Sequence, residues 1–138
     1  MDTEKISVET RIKAKPQKIW RLWTQPDHIT EWNFAKDDWQ CTSAENDLRV
    51  GGKFCYQMEA KDKSSGFDFE GVYTEIIDHE EISYMLPDGR DAAITFENLG
   101  NHTKMTTTFD AESENSIDMQ SEGWQAIMNN FKRYVEAN

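Results

Sequence analysis

Between Ser116 and Val135 the apolar residues Trp124, Ile127, Met128, Phe131 and Val135 recur at offsets i, i+3, i+4, i+7 and i+11. That spacing lines them along one face of an α-helix. Asn115 or Ser116 can cap its first turn, Glu112, Glu114 and Asp118 put negative charge near the positive end of the helix dipole, and Lys132 and Arg133 sit toward the negative end. A helix over about 116–136 is roughly 30 Å long, enough to cross a whole sheet, so the rest of the chain has to supply a surface that covers this stripe. Gly123 is the irregularity. Glycine in a helix interior costs about 1 kcal/mol against alanine, and here it stands directly before the largest side chain of the face. The expectation is a close backbone approach to a strand or a ligand at that point.

The segments before the helix read as such a surface. Ile6, Val8, Thr10 and Ile12 alternate with Ser7, Glu9, Arg11 and Lys13, the pattern of a half-buried strand. Pro16 suits the first turn of a helix carrying Ile19, Trp20 and Trp23, and Pro26 opens a second short one with Asp27 in its first turn and Ile29 and Trp32 on one side. From about Gln40 to Glu112 the period is two. Phe54, Tyr56 and Met58 follow a bend at Gly51-Gly52; Phe67, Phe69, Gly71 and Tyr73 follow a turn at Ser64-Ser65-Gly66. After His79-Glu80-Glu81 come Ile82, Tyr84 and Leu86, then the turn Pro87-Asp88-Gly89. Ala92, Ile94 and Phe96 lead to a Gly100-Asn101 turn and to Met105, Thr107 and Phe109. The order is strand, two helices, six strands in a meander, long helix.

A one-sided antiparallel sheet and a helix with one apolar stripe satisfy each other if the sheet curls around the helix. The fold class is α+β, a curved antiparallel sheet of about seven strands around the C-terminal helix, with two short helices between strands 1 and 2 plugging one end. At 138 residues this is expected to be a single domain over 1–138, large enough to bury a core without staples. A cavity can remain between sheet and helix, lined by Trp32, Phe54, Tyr56, Met58, Phe69, Tyr73, Phe96, Met105, Phe109, Trp124, Met128 and Phe131. A solid core would satisfy the same alternation, because periodicity reports burial and nothing more.

Charge narrows the partners. The 15 basic residues face 26 acidic ones, for a net charge of -11, and no Lys/Arg run exists to neutralise a phosphate backbone. Nucleic acid and anionic membranes are therefore poor partners. The start, Met1-Asp2-Thr3-Glu4-Lys5, has no apolar leader, and no stretch of 18 apolar residues occurs, so neither export nor membrane insertion is expected and the chain reads as cytoplasmic.

The reactive residue types give weak signals. Cys41 and Cys55 lack a C-x-x-C spacing and basic sequence neighbours, so both read as free structural thiols. His28, His79 and His102 show no metal-ligand spacing; His28 and Glu31 could share a helical turn, but a solvated pair is the better reading, and no metal is expected. Gly51-Gly52 lacks the pattern of a phosphate loop, and there is no G-x-S-x-G elbow, so no nucleotide or other cofactor is expected. Glu75 shares the parity of Gly71 and Tyr73. If it projects into an apolar mouth, desolvation raises its pKa, the condition for general acid or base work, which makes it the weak catalytic candidate, but a rim carboxylate near solvent is the better reading.

Several motifs acquire meaning together. Trp20, Trp23-Thr24-Gln25-Pro26, Ile29 and Trp32, then Leu48-Arg49-Val50-Gly51-Gly52-Lys53-Phe54, then Gly71-Val72-Tyr73-Thr74-Glu75-Ile76, and Gly123-Trp124 resemble the pattern of the AHSA1-like family, named for the activator of Hsp90 ATPase. That family belongs to the helix-grip superfamily (SRPBCC) of START-like and birch-pollen-allergen-like (Bet v 1-like) proteins and polyketide cyclases. The resemblance covers nearly the whole chain and implies a helix-grip fold with a deep cavity. Three functions of different classes follow: first a binding protein for a small, largely apolar molecule, favoured by the aromatic-rich one-sided strands and by the resemblance; second, on the family name alone, an accessory factor of an Hsp90-type chaperone in a stress response; third a cavity enzyme of cyclase or aldol type using Glu75, Tyr56 or Tyr73, with an enzyme the less expected outcome. In the eukaryotic co-chaperone this module is the C-terminal part and a separate N-terminal domain does much of the Hsp90 work. Little stimulation of an Hsp90-type ATPase by these 138 residues alone is therefore expected.

Overall fold

The computed structural model describes residues 4–138. The reading of Met1 to Lys5 as lacking a leader falls mostly on residues 1–3, outside the described residues. The elements run β1 (Lys5–Ile12), α1 (Pro16–Thr24), α2 (Pro26–Trp32), β2 (Trp39–Asn46), β3 (Lys53–Ala60), β4 (Gly66–Ile77), β5 (Glu81–Met85), β6 (Asp91–Asn98), β7 (Thr103–Asp110) and α3 (Ile117–Ala137). The strands form one antiparallel sheet in the order β1-β7-β6-β5-β4-β3-β2. β2 to β7 are a plain meander, and β1 returns to the far edge beside β7, pairing Ile6 with Phe109 and Ile12 with Thr103. This is the helix-grip arrangement: the sheet curls and α3 lies in its concavity.

The alternation in the strands becomes burial because only one face meets α3. Ile6, Val8 and Ile12 of β1, Phe54, Tyr56 and Met58 of β3, Ala92, Ile94 and Phe96 of β6, and Met105, Thr107 and Phe109 of β7 are buried, while most of their sequence neighbours are half-buried or exposed. The register shifts at two places, one of them between Cys41 and Ser43 where β2 pairs with β3, the other in β4. In the pairing of β4 with β5 the register shifts between Tyr73 and Glu75, and the extra residue turns the strand over. Glu75 is thereby exposed, while Ile76 packs against the core. The weak catalytic candidate points out of the sheet, a placement two-residue periodicity could not foresee.

The start of α3 is fixed by two devices. The Ser116 Oγ accepts the Met119 N–H at 3.1 Å, so Ser116 is the cap. The buried Gln120 side chain clamps the preceding loop: its Oε1 accepts the Glu112 N–H at 2.9 Å, and its Nε2 donates to the carbonyls of Glu112 and Asn115. Along the sheet edge, the Gln125 amide donates to the Glu9 carbonyl at 3.1 Å and the Glu136 carboxylate accepts the Lys13 N–H at 3.0 Å. These bonds hold the helix against β1. The helix runs on to Ala137, so Lys132 and Arg133 stand a turn short of its end and the last turn carries no basic residue. Among the described residues no helix is long and apolar enough to cross a membrane.

Gly123 does not serve a close approach to a strand. A Cβ placed on it meets no atom within 4 Å, because this part of the helix faces open space. Its glycine therefore costs helix stability without relieving a clash. Gly123→Ala is expected to raise stability by up to about 1 kcal/mol, read as a higher midpoint in urea with an unchanged slope. A lower midpoint would mean that the space is filled in solution.

Candidate ligand pocket

The curl of the sheet exceeds what the side chains of α3 fill. Between them lies a pocket of about 280 Å³. The sheet contributes Phe54, Tyr56 and Met58 from β3, Phe67, Phe69 and Tyr73 from β4, and Ile82, Tyr84, Ile94 and Thr107 from the next three strands. α3 contributes Gly123, Trp124, Ile127 and Met128, and the plug helices and the loop after them contribute Trp23, Trp32, Asn33 and Ala35. Trp32 is almost fully buried, and its indole N–H donates to the Leu22 carbonyl at 3.1 Å, which fixes its ring.

Aromatic contacts hold these walls. Trp124 stacks on Phe109 with ring centroids 3.9 Å apart and planes 9° from parallel, and meets Phe69 edge on. Trp23 stacks on Trp32 at 4.4 Å, and the Phe131 ring is edge on to both at 4.8 Å. Phe54 packs among Tyr56, Phe69, Tyr73 and Tyr84. Such pairs carry about 0.5–1.5 kcal/mol beyond the area they bury, so the walls stand without a ligand between them.

Of the twelve residues the alternation and helix face suggested, the structure brings Trp32, Phe54, Tyr56, Met58, Phe69, Tyr73, Trp124 and Met128 to the pocket. The other four lie in packed core. Phe96 is covered by Trp20 of α1 at 5.6 Å, Met105 is fully enclosed opposite Phe96, Phe109 is roofed by the Trp124 indole, and Phe131 is wedged between Trp23 and Trp32. Inward direction is common to all twelve; only the filling of space by neighbours separates the two sets. Sequence reasoning had Ile82, Tyr84, Ile94, Thr107 and Ile127 on the inner faces without assigning them to the pocket. Asn33 and Ala35 follow α2 and carried no signal.

The polar groups at the pocket are few and neutral. Tyr73 donates its hydroxyl to Asn46 Oδ1, and Asn46 Nδ2 donates to the Thr24 carbonyl at 2.6 Å, tying β4 and β2 to the end of α1. Burial pushes the Tyr73 phenol up to about 12, and burial together with the neighbouring Tyr73 raises Tyr56 and Tyr84 as well. All three are phenols, not phenolates, at neutral pH. The pocket wall holds no carboxylate, imidazole, thiol or amine among the described residues. Cys41 is buried on β2, its thiol pushed up to about 11 by burial, and Cys55 is half-buried on β3 with its pKa also raised by burial; neither is set up as a nucleophile. His28 Nδ1 is 2.6 Å from the Tyr134 hydroxyl, a link between α2 and α3. No cluster of three potential metal ligands occurs among the described residues.

This architecture recurs in solved structures. The solution structure of an AHSA1-like protein from Aeromonas hydrophila is 43% identical over 97% of this chain and 93% of that one, with a TM-score of 0.92. A protein from Cytophaga hutchinsonii, also solved in solution, is 42% identical over the same shares, with a TM-score of 0.84. The crystal structure of a Chromobacterium violaceum protein shares the fold, with a TM-score of 0.85, at 21% identity over 97% and 98% of the two chains. A search of curated proteins gave no match. Residues 13–136 match the family model described as activator of Hsp90 ATPase homolog 1-like protein, and with the motifs, the helix-grip fold and these relatives in agreement, the chain belongs to that family.

Proposed function

We propose that the protein binds a small, largely apolar molecule between its sheet and α3. The observation that carries this reading is the pocket of about 280 Å³ walled by aromatic and aliphatic side chains, with a handful of neutral polar groups among them. Ligand sites have this composition, and the volume lies near the lower end of their range of roughly 300 Å³ upward. A cavity enzyme is less well supported. Glu75 is exposed on the outside of β4, and buried phenols with raised pKa are poorly matched to proton transfer at neutral pH.

Trp23, Trp32 and Trp124 at the wall provide the readout. Compact one- and two-ring aromatics are expected to change tryptophan emission saturably, whereas sterols, too large for the space, are expected to leave it unchanged. Gly123→Leu extends a side chain toward the pocket and is expected to fold and to lose this binding. Emission that stays flat across fatty acids, sterols and aromatics, with amide spectra unmoved, would overturn the reading in favour of a solid core.

The family description supports a second reading, an accessory role at an Hsp90-type chaperone. An interior pocket recognises a small molecule rather than a protein surface, so little or no stimulation of such an ATPase by this chain is expected. A several-fold, saturable stimulation at stoichiometric protein would reverse the order of the two readings.

A further inference from the structure

Resting on the binding reading above, we propose that the pocket selects a compact, uncharged, planar ligand carrying a hydrogen-bond acceptor such as a ketone, directed at the Tyr84 hydroxyl. Tyr84 lines the pocket and is 6% exposed, yet among the described residues its hydroxyl makes no hydrogen bond with the protein, in contrast to Tyr73, which donates to Asn46. No fully enclosed side-chain nitrogen or oxygen in the described structure lacks a partner, so the Tyr84 hydroxyl keeps some accessible surface, and Tyr84 is part of the pocket wall. Asn33 and Thr107, 6% and 3% exposed, line the same pocket with side chains that also make no hydrogen bond among the described residues. Nearly buried polar groups left open in an otherwise apolar wall are costly unless water or a ligand answers them.

The chemistry of the occupant follows. Phe54 stands edge on to Tyr84 at 4.9 Å and Phe69 at 6.4 Å, which fixes the direction of the phenol, and its raised pKa keeps the proton on it as a donor. The neighbouring faces are aromatic rings, suited to a planar body. A charged ligand would lose its hydration without meeting an ionised partner in the wall, and the net charge of -11 opposes an anion further. The volume of about 280 Å³ excludes a sterol or a whole membrane lipid.

The test uses three probes of one shape: 2-acetylnaphthalene, the near-isosteric hydrocarbon 2-ethylnaphthalene, and the anion 2-naphthoate. They are titrated into the wild-type chain and into Tyr84→Phe, which removes only an unpaired hydroxyl and is expected to melt as the wild type does. The ketone should bind Tyr84→Phe roughly three- to tenfold more weakly than wild type, as loss of one hydrogen bond predicts, while the hydrocarbon binds both alike. Thr107→Val should lower ketone affinity in the same selective sense. The naphthoate should bind wild type at least tenfold more weakly than the ketone. Equal shifts for ketone and hydrocarbon in Tyr84→Phe, no shift for either, or naphthoate binding as tightly as the ketone would each overturn the inference and leave the binding reading standing. If none of the probes saturates on the wild type, both fall together.

Discussion

Phe131→Ala is expected to destabilise the protein by about 3–5 kcal/mol, a large fraction of the roughly 5–15 kcal/mol that holds a domain of this size folded. The ring is fully enclosed and wedged edge on against Trp23 and Trp32, 4.8 Å from each, where α1, α2 and α3 meet. Those two indoles stack on one another at 4.4 Å, and truncating Phe131 removes a surface both lean on. Collapse cannot easily close the gap, since Trp32 is pinned through its indole N–H to the Leu22 carbonyl. Urea melts followed by far-UV circular dichroism and tryptophan emission give the measurement. Because Trp23 and Trp32 are also pocket wall, the variant should lose probe binding even where it remains folded. Phe131→Leu keeps most of the volume and should lose less. A cost below 1 kcal/mol for the alanine variant would show that α3 is not seated on the two plug helices in this way.

Gly52→Ala is expected to cost about 3 kcal/mol, at the upper end of overpacking effects, because the added methyl meets backbone and not a flexible side chain. A Cβ at Gly52 would stand 2.2 Å from the Asp47 carbonyl oxygen and 3.0 Å from that of Arg49. Both oxygens are committed: Asp47 O accepts the Arg49 N–H at 2.9 Å and Arg49 O accepts the Gly52 N–H at 2.8 Å. The turn is also bound to β4, where the Gly51 N–H donates to the Tyr73 carbonyl and the Tyr73 N–H donates to the Gly52 carbonyl, each at 2.9 Å. A shift at Gly52 therefore propagates to Tyr73 and its bond to Asn46. Gly51 separates the two roles a glycine can have. Its φ is +83°, but a Cβ there meets nothing within 4 Å, so Gly51→Ala should cost only the left-handed strain of about 1–2 kcal/mol. Melts that rank Gly51→Ala as the worse variant would mean the turn relaxes freely, contrary to this packing.

Much of the architecture was legible in the residue pattern, and for a definite reason. The stripe from Trp124 to Val135 and the period-two runs at Phe54, Ile94 and Met105 arise because each element has one face on the core, and that face is written locally. Turn chemistry at Gly51-Gly52 and at Pro87-Asp88-Gly89 separated the strands, since only certain residues accept those backbone angles. From these the order of elements and the closing of a curved sheet on α3 follow.

What the tertiary structure alone decided concerns space and not direction. Phe96, Met105, Phe109 and Phe131 point inward as surely as Phe54 or Tyr56, but whether an inward residue meets a neighbour or a void depends on how far the sheet curls and which indole lies above it. The bulge between Tyr73 and Glu75 left no mark in the alternation, because one inserted residue changes facing without changing composition; it moved Glu75 from the suspected site to the surface. Gly123 before Trp124 suggested crowding, yet the distance from a helix backbone to the opposite strand is set by every side chain between them, and here that distance leaves room. The same holds for Tyr84. Its sequence position announces burial, but only the folded arrangement shows that Tyr73 has a partner in Asn46 and that Tyr84 has none in the protein, which is what turns a core tyrosine into a group that can recognise a ligand.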